Sequence, residues 1–303
     1  MTFRAKLFSL AVLLLLSAAV LAQFRGSRYR RGTGPIHYTE GGVEVDENTV
    51  KTAREVASHS TGTPNWTNAP GFEKDVFTFV RIIRDRSPFS SGGSWITDFP
   101  DSDLNLSYRV QQMTSLKVDP NGRVMRLTNP DLFNYPWIYM VEVGSLELRD
   151  EEVPILRKYL LNGGFLMVDD FWGEAQYQTF YRQLKRVFPE REPAELEMDH
   201  PVFHSVFDIK LPKAEMQVPN ARTGEQSQHT GVTWERHDGE ECRDAHFKGV
   251  FDDKGRMMVF IAHNTDNGDG WEREGENEYF FREFSEKKSY PLGINVIFYS
   301  MTH

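Results

Sequence analysis

The sequence contains almost no cysteine: Cys242 is the only one among 303 residues. A single thiol cannot form an intramolecular disulfide, and it excludes a zinc site built from several cysteines. Cys242 lies in the polar segment 238–244 and does not follow an apolar strand, where a nucleophilic cysteine would be expected. We therefore expect Cys242 to be dispensable, and we expect the domain to depend on its hydrophobic core alone.

The short motifs of common hydrolases and nucleotide-binding enzymes are also missing. The chain has no Gly-x-Ser-x-Gly, no Gly-x-x-x-x-Gly-Lys-[Ser/Thr] and no Gly-x-Gly-x-x-Gly after a predicted strand. Positive charge is scarce as well, because 35 Lys and Arg residues stand against 44 Asp and Glu residues and give a formal charge of −9. Nucleic acid is therefore not an expected partner.

Long apolar runs are confined to the N terminus. Arg4 and Lys6 precede an apolar run over residues 7–20, and small side chains up to Ala22 are typical of a signal-peptidase site. We interpret residues 1–22 as the cleaved signal peptide of an exported protein, periplasmic or secreted. The alternative is an uncleaved anchor, but the run is shorter than the roughly 20 residues of a spanning helix. Membrane contact is expected only through this segment, if it is uncleaved.

The next part of the chain, residues 23–71, has few apolar side chains. Residues 23–45 are rich in arginine and glycine, which is typical of a flexible leader. The apolar spacing over residues 46–58 predicts one amphipathic helix, and a stretch rich in Pro, Gly and Asn follows it. We therefore assign residues 72–303 to the main domain.

The main domain alternates between predicted strands and predicted helices. Its strands are apolar on both faces, which indicates a mostly parallel sheet covered by helices on both sides. A hairpin over 246–251 and 256–263 predicts an antiparallel edge. The other predicted strands are 76–83, 123–127, 137–143 and 165–168, and the predicted helices are 104–115, 150–161 (capped by Asp150), 174–187, 278–284 and 292–301.

Acidic residues follow two of the predicted strands. Ligands of an open parallel sheet bind beyond the carboxyl ends of its strands, so these residues are candidates for a site. Asp98 and Asp101 follow the first strand, whereas Asp103 is expected to cap the next helix. Asp169 and Asp170 follow a later strand. Because adjacent strand residues point to opposite faces, we expect Asp169 to face the ligand and Asp170 to cap the next helix.

These two loops and a third one after the last predicted strand each carry a tryptophan beside their acids: Trp95, Trp172 and Trp271. Exposed rings could stack on a sugar while carboxylates accept from its hydroxyls; alternatively, the rings pack the loops onto the core. The third loop begins at His263 and is acidic over 263–272. It lacks the spacing of an EF-hand, so its acids are only a weak metal signal.

Two further histidines, His200 and His204, are spaced four residues apart. On one helix they could bind a metal, but Pro201 argues against a regular helix, and an ordinary surface or core histidine is the alternative. No cofactor is strongly indicated, and the sequence leaves the catalytic residues and the metal unknown. The predicted ligand-binding set is Asp98, Asp101, Asp169, Asp170, Trp172, His200 and His263.

A family resemblance adds to this interpretation. Residues 156–170 (Leu-Arg-Lys-Tyr-Leu-Leu-Asn-Gly-Gly-Phe-Leu-Met-Val-Asp-Asp) resemble the helix, double glycine and strand before the nucleophile of class I glutamine amidotransferase-like proteins. With residues 98–106 and 199–203, they resemble the domain of unknown function family DUF4159, over roughly residues 75–303. The segment Asp-His-Pro is also similar to one in trehalose-utilisation (ThuA-like) proteins.

The resemblance implies a flavodoxin-like α/β core of the class I glutamine amidotransferase-like kind, and it implies no established activity. Where amidotransferases carry their cysteine, this chain has Asp169 and Asp170. Amidotransfer through a thiolate is therefore not expected.

These observations favour an exported domain that binds a polar ligand, a carbohydrate or a divalent cation, in an acidic crevice. One alternative is a glycan-acting hydrolase, in which two carboxylates about 5 to 9 Å apart act as acid and base. Another is a cell-envelope assembly protein whose aromatic C-terminal helices dock a protein partner. The sequence leaves open whether the protein is an enzyme.

Overall fold

A sheet of seven strands forms the centre of the structure. The structure is a computed structural model that describes residues 34–60, 62–71, 75–87, 92–235 and 239–303; the predicted signal peptide and residues 23–33 of the leader lie outside the described residues. The described residues form this sheet and two small two-stranded sheets, β1 with β2 and β4 with β7. Their strands are β1 (Ile36–Tyr38), β2 (Glu44–Asp46), β3 (Val80–Ile83), β4 (Asp85–Arg86), β5 (Arg123–Arg126), β6 (Trp137–Val141), β7 (Leu146–Glu147), β8 (Phe165–Asp169), β9 (Ala194–Glu195), β10 (His246–Phe251) and β11 (Met257–His263).

Helices cover both faces of this sheet. A π-helical segment, Phe281–Ser289, joins the last two α-helices. None of the helices in the described ranges is both long and apolar enough to cross a membrane. The α-helices are α1 (Asp101–Met113), α2 (Glu152–Leu161), α3 (Gly173–Val187), α4 (Ala221–Thr230), α5 (Asn267–Glu272), α6 (Glu278–Phe280) and α7 (Tyr290–Thr302).

The strand order of the sheet is β5-β3-β6-β8-β11-β10-β9. The first five of these are parallel to one another, and β10 and β9 add an antiparallel edge. Counted by themselves along the chain, the five parallel strands have the order 2-1-3-4-5 of flavodoxin-like folds. The predicted fold class, a flavodoxin-like α/β sheet with an edge hairpin, is confirmed.

The alternation of side chains along the strands divides the core in two. Val80 and Ile82 of β3 point to the face that α2 and α3 cover. Phe79, just before β3, and Tyr139 of β6 point to the opposite face, where α1 and α7 pack. Strands that are apolar on both faces are buried on both faces, as the sequence predicted.

The predicted helix over residues 46–58 is wrong. β2 ends at Asp46, whose Oδ1 accepts from the backbone N–H of Asn48 at 2.9 Å, and such a local bond competes with a helix. The only helical turn there is the short 3₁₀ segment Ala53–Glu55. Val124 of β5 donates to the carbonyl of Lys51 at 2.8 Å, so this segment lies along the main sheet.

Two predicted helix caps are also wrong. Asp103 lies inside the first turn of α1 and pairs with buried Arg81. Asp150 precedes α2 without capping it and contacts Arg186 at 2.6 Å. In both cases a guanidinium is the partner, and it makes a stronger hydrogen bond than a backbone N–H does.

The single cysteine is more buried than its polar neighbours indicated. Cys242 ends the 3₁₀ turn Glu240–Cys242 and is 0% exposed. It does not follow a strand, as predicted. That Cys242 is dispensable stays a prediction, which the melting temperature of Cys242→Ser tests.

Candidate functional site

The candidate site lies at the carboxyl ends of the parallel strands. Chain order reverses between β3 and β6, and open sheets bind ligands beside such a reversal. The loops after β3, β8 and β11 bring together Asp98, Asp170 and Asp266, which we call the aspartate cluster. One carboxylate oxygen of each lies within 4.8 Å of the others. All three residues are buried, at 1%, 6% and 5% exposure.

Arg81 holds the loop that carries Asp98. This fully buried arginine stands in β3, and its Nε lies 3.0 Å from both carboxylate oxygens of Asp103. Its Nη1 donates to the carbonyls of Trp95 and Thr97 at 2.9 and 2.8 Å. The loop is thus fixed on both sides of Asp98, which has a left-handed φ of 61°.

Asp170 reaches the cluster because the chain turns sharply after β8. Its φ of 54° is left-handed, so its side chain leaves the alternation of the strand. The indole Nε1 of Trp172 donates to Asp170 Oδ1 at 2.9 Å and orients the carboxylate. Asp170 does not cap α3: Trp172 is the N-cap residue and its own side chain makes no cap bond, while Asn264 Oδ1 accepts from the backbone N–H of Gly173 at 2.8 Å. The prediction of a capping role for Asp170 is wrong.

The Asp169 side chain was predicted to face the ligand, but it forms hydrogen bonds that connect β8 to α5 and does not belong to the aspartate cluster. Its carboxylate accepts from Tyr139 Oη at 3.2 Å, from Asn267 N at 2.9 Å, from Asn267 Nδ2 at 2.8 Å and from Gly268 N at 3.1 Å. Burial raises the pKa of Asp169 to about 7, although these four bonds favour the carboxylate form. Asp169 therefore positions α5, and its oxygens are already occupied.

Asp266 completes the cluster from the loop after β11. It is the N-cap residue of α5, and its Oδ1 accepts from Asp269 N at 2.8 Å. The sequence analysis noted the acidic residues of this loop, but Asp266 was not in the predicted ligand-binding set. The cap accounts for one carboxylate oxygen, and the other remains available to the cluster.

The aspartate cluster is electrostatically strained. Burial, followed by neighbouring carboxylates, raises the pKa of Asp98, Asp170 and Asp266 well above the usual range. Arg81 opposes the shift at Asp98, but its donors are taken by Asp103 and by backbone carbonyls. Asp98 Oδ2 has no hydrogen-bond donor in the described ranges.

A second acidic group adjoins the cluster through Asp98. Glu40, Asp269 and Glu272 each place an oxygen within 4.8 Å of Asp98 and of one another. Unlike the aspartate cluster, this group contains a guanidinium: Arg273 Nε lies 3.0 Å from Glu272 Oε2 and 3.7 Å from Asp269 Oδ1, and Nη2 contacts Glu40. Arg273 therefore neutralises part of the second group only.

Two predicted histidines do not join these acids. His263 ends β11, but its ring packs 4.8 Å from that of Phe171, its Nε2 lies 3.1 Å from the carbonyl of Gly173, and burial lowers its pKa to about 3. His200 packs 6.2 Å from Phe251, which pairs with the first residue of β11. His200 therefore lies at the amino-terminal ends of the parallel strands, at the opposite end of the strands from the cluster.

The predicted tryptophans and Asp101 also lie outside the aspartate cluster. Trp95, Trp172 and Trp271 are 1%, 5% and 0% exposed, so their rings cannot stack on a sugar from solvent. They pack the loops onto the core, which was the alternative interpretation. Asp101 begins α1 and lies next to His59, outside the aspartate cluster.

Sequence reasoning missed Arg81, His59, Glu40, Asp266 and Glu272. A signal existed for Arg81, because a charged residue inside an otherwise apolar strand requires a buried partner. His59 and Glu40 lie in residues 23–71, which the sequence analysis placed outside the main domain. Their distance from Glu272 along the chain, more than 200 residues, leaves no local pattern to detect.

Comparison with known proteins gives a family without an assigned activity. No curated protein matches this chain. The family described as "Domain of unknown function (DUF4159)" matches residues 78–301, which include β3 and all the strands and helices that carry the aspartate cluster. The chain therefore belongs to the DUF4159 family.

Proposed function

We propose that this protein binds a divalent cation through the aspartate cluster. The proposal rests on the state of Asp98 Oδ2. Asp98 is 1% exposed, and no described residue donates a hydrogen bond to this oxygen. It belongs to a group with two further buried carboxylates. A buried carboxylate without a hydrogen bond is costly, and only a proton or a cation can relieve that cost here.

The spacing of the cluster fits a cation. Oxygen ligands bind Ca²⁺ at 2.3–2.6 Å, so two ligands of one ion can be at most about 5 Å apart. The three oxygens of the cluster meet this limit, since they lie within 4.8 Å of one another. An all-carboxylate set favours Ca²⁺, Mg²⁺ or Mn²⁺ over softer metals. Backbone carbonyls and water would complete the coordination.

The other ligand classes have less support. A sugar would need exposed aromatic rings, and the three tryptophans are buried. Acid–base hydrolysis of a glycan would need carboxylates about 5 to 9 Å apart, whereas the cluster is tighter and buried. Export to the periplasm or medium remains part of the proposal on the sequence of residues 1–22, and mass spectrometry of the mature N terminus tests it. No observation favours the envelope-assembly alternative.

Calorimetric titration of the metal-free protein tests the proposal. We expect one ion of Ca²⁺, Mg²⁺ or Mn²⁺ to bind the native chain and binding to be lost in Asp98→Asn. Asp131→Asn is the matched control: it removes the same charge from a half-exposed residue in the turn before β6, at the amino-terminal ends of the strands. Unchanged binding by Asp98→Asn, or no binding of any of the three ions by the native chain, would contradict the proposal.

Gly268 provides a second, steric test of the cluster. A Cβ at this position would overlap Asp98 Oδ2, so glycine permits the close approach of α5 to Asp98. Gly268→Ala is expected to lower stability by about 1–3 kcal/mol and to weaken cation binding. In an Asp98→Ala background the overlap is gone, and the same substitution should cost much less. Equal costs in the two backgrounds, measured by urea unfolding, would show that Asp98 does not lie against Gly268.

A further inference from the structure

We propose a second metal site beside the aspartate cluster, in which His59 Nε2, Glu272 and Glu40 bind a borderline transition metal of the Zn²⁺ class. These three residues place one imidazole nitrogen and two carboxylate oxygens within 4.8 Å of one another. We call them the histidine site. The inference extends the proposed cation binding, but it rests on different residues and on a different class of metal.

The first observation is the orientation of His59. Its Nδ1 lies 2.9 Å from Asp101 Oδ2, and its Nε2 lies 3.1 Å from Glu272 Oε1, at angles that are not those of hydrogen bonds. Metal-binding histidines commonly direct one ring nitrogen to a carboxylate and the other to the metal. Asp101 is itself fully buried and is held by the hydroxyl of Ser58 and by the backbone N–H of His59.

The second observation is the environment of the buried Glu272 carboxylate. Glu272 is 0% exposed, and its carboxylate oxygens accept no hydrogen bond from an N–H group or a hydroxyl of the described residues; the neighbouring carboxyl of Asp269 is the group with which it can share a proton. Oε2 contacts Arg273 Nε at 3.0 Å, while Oε1 faces His59. A metal could therefore bind Oε1 while Arg273 keeps Oε2. Glu40 also contacts Arg273 through one oxygen, and it is exposed, so an ion can reach the site from solvent.

The local charge leaves room for two cations. The aspartate cluster and the adjoining groups contain six carboxylates, and Arg273 is the guanidinium that contacts them. The all-oxygen cluster suits a hard cation. An imidazole ligand shifts the preference of the histidine site to Zn²⁺ or Co²⁺. The two sites should therefore be separable by the metal used to probe them.

Co²⁺ absorption spectroscopy on the metal-free full-length chain tests the histidine site. We expect Co²⁺ to develop visible d–d bands with one equivalent, and Zn²⁺ to displace it. His59→Gln should abolish the bands, and Asp101→Asn should weaken Co²⁺ binding about 10- to 100-fold by releasing the ring. His204→Gln is the control, because that ring binds Met198 O and Asp208 elsewhere. If His59→Gln fails to fold, Asp101→Asn alone carries the test.

The outcomes separate this inference from the proposed function. Wild-type Co²⁺ affinity in both His59→Gln and Asp101→Asn would overturn the histidine site. Loss of Co²⁺ binding in Asp170→Asn but not in His59→Gln would also overturn it, because the ion would then sit in the aspartate cluster. Co²⁺ binding that depends on His59, without any binding of Ca²⁺, Mg²⁺ or Mn²⁺, would support the histidine site and contradict cation binding by the aspartate cluster.

Discussion

Asp170→Asn is expected to stabilise the metal-free protein at pH 8 and to abolish most of the stabilisation that Ca²⁺ provides. Burial and the charges of Glu142 and Asp98 disfavour the ionised form of Asp170, so a neutral side chain removes a cost. An asparagine Oδ1 can still accept from Trp172 Nε1. We expect a gain of about 1–2 kcal/mol, or a few degrees in melting temperature, in calorimetry with and without EDTA.

The neighbouring residue supplies the matched comparison. Asp169 accepts four hydrogen bonds, so Asp169→Asn turns an amide N–H₂ towards donors and should cost about 1–3 kcal/mol. Two isosteric changes at adjacent positions are thus expected to have opposite signs. If both variants lose stability in EDTA and neither alters the response to Ca²⁺, the acids are structural and the cation proposal fails.

The metal-free protein should lose stability as the pH rises from about 6.5 to 8. The pKa of Asp169 is raised to about 7 in the folded state, and those of Asp98, Asp170 and Asp266 are raised well above the usual range. An acid whose folded pKa is raised contributes stability that is complete below its unfolded pKa, about 3.9, and is lost progressively as the pH rises from there to its folded pKa, so Asp169 adds to the slope only up to about pH 7. Each such proton contributes up to about 1.4 kcal/mol per pH unit.

The pH window avoids two groups that would act in the opposite direction. Burial lowers the pKa of His263 to about 3, so its stabilising contribution is already complete above about pH 6.5. Burial also lowers the pKa of Lys288 to about 8, so its contribution changes above that pH. Saturating Ca²⁺ should flatten the slope, because the cation replaces the protons. Urea unfolding at four pH values measures the slope of the free energy of unfolding against pH. A slope that is equally steep with Ca²⁺ would contradict the account.

The fold could be predicted from the sequence because its signals are local. Buried strands such as β6 and β8 are continuous apolar runs, and Gly163 and Gly164 mark the end of α2. The predicted strand pattern therefore led directly to a parallel sheet with a hairpin edge. The segment 46–58 failed because its spacing resembled a helix, while hydrogen bonds to the distant strand β5 decide its conformation.

The candidate site was predictable only in part. The position of Asp98 and Asp170 at the carboxyl ends of strands follows from the fold class, and both lie in the cluster. The exchange of roles between Asp169 and Asp170 was not predictable, since it depends on a left-handed turn and on donors from α5. His200 was selected by its motif, but the topology places it at the amino-terminal ends of the parallel strands, away from the cluster.

Anomalous diffraction from crystals grown with Mn²⁺ tests the central claim most directly. The account predicts a peak bounded by the carboxylates of Asp98, Asp170 and Asp266, about 2.0–2.6 Å from an oxygen of each. The same crystals of Asp98→Asn should lack this peak. Fully occupied Mn²⁺ elsewhere, with the three carboxylates in hydrogen-bond contact with one another and no ion between them, would contradict the claim and show that protons neutralise the cluster.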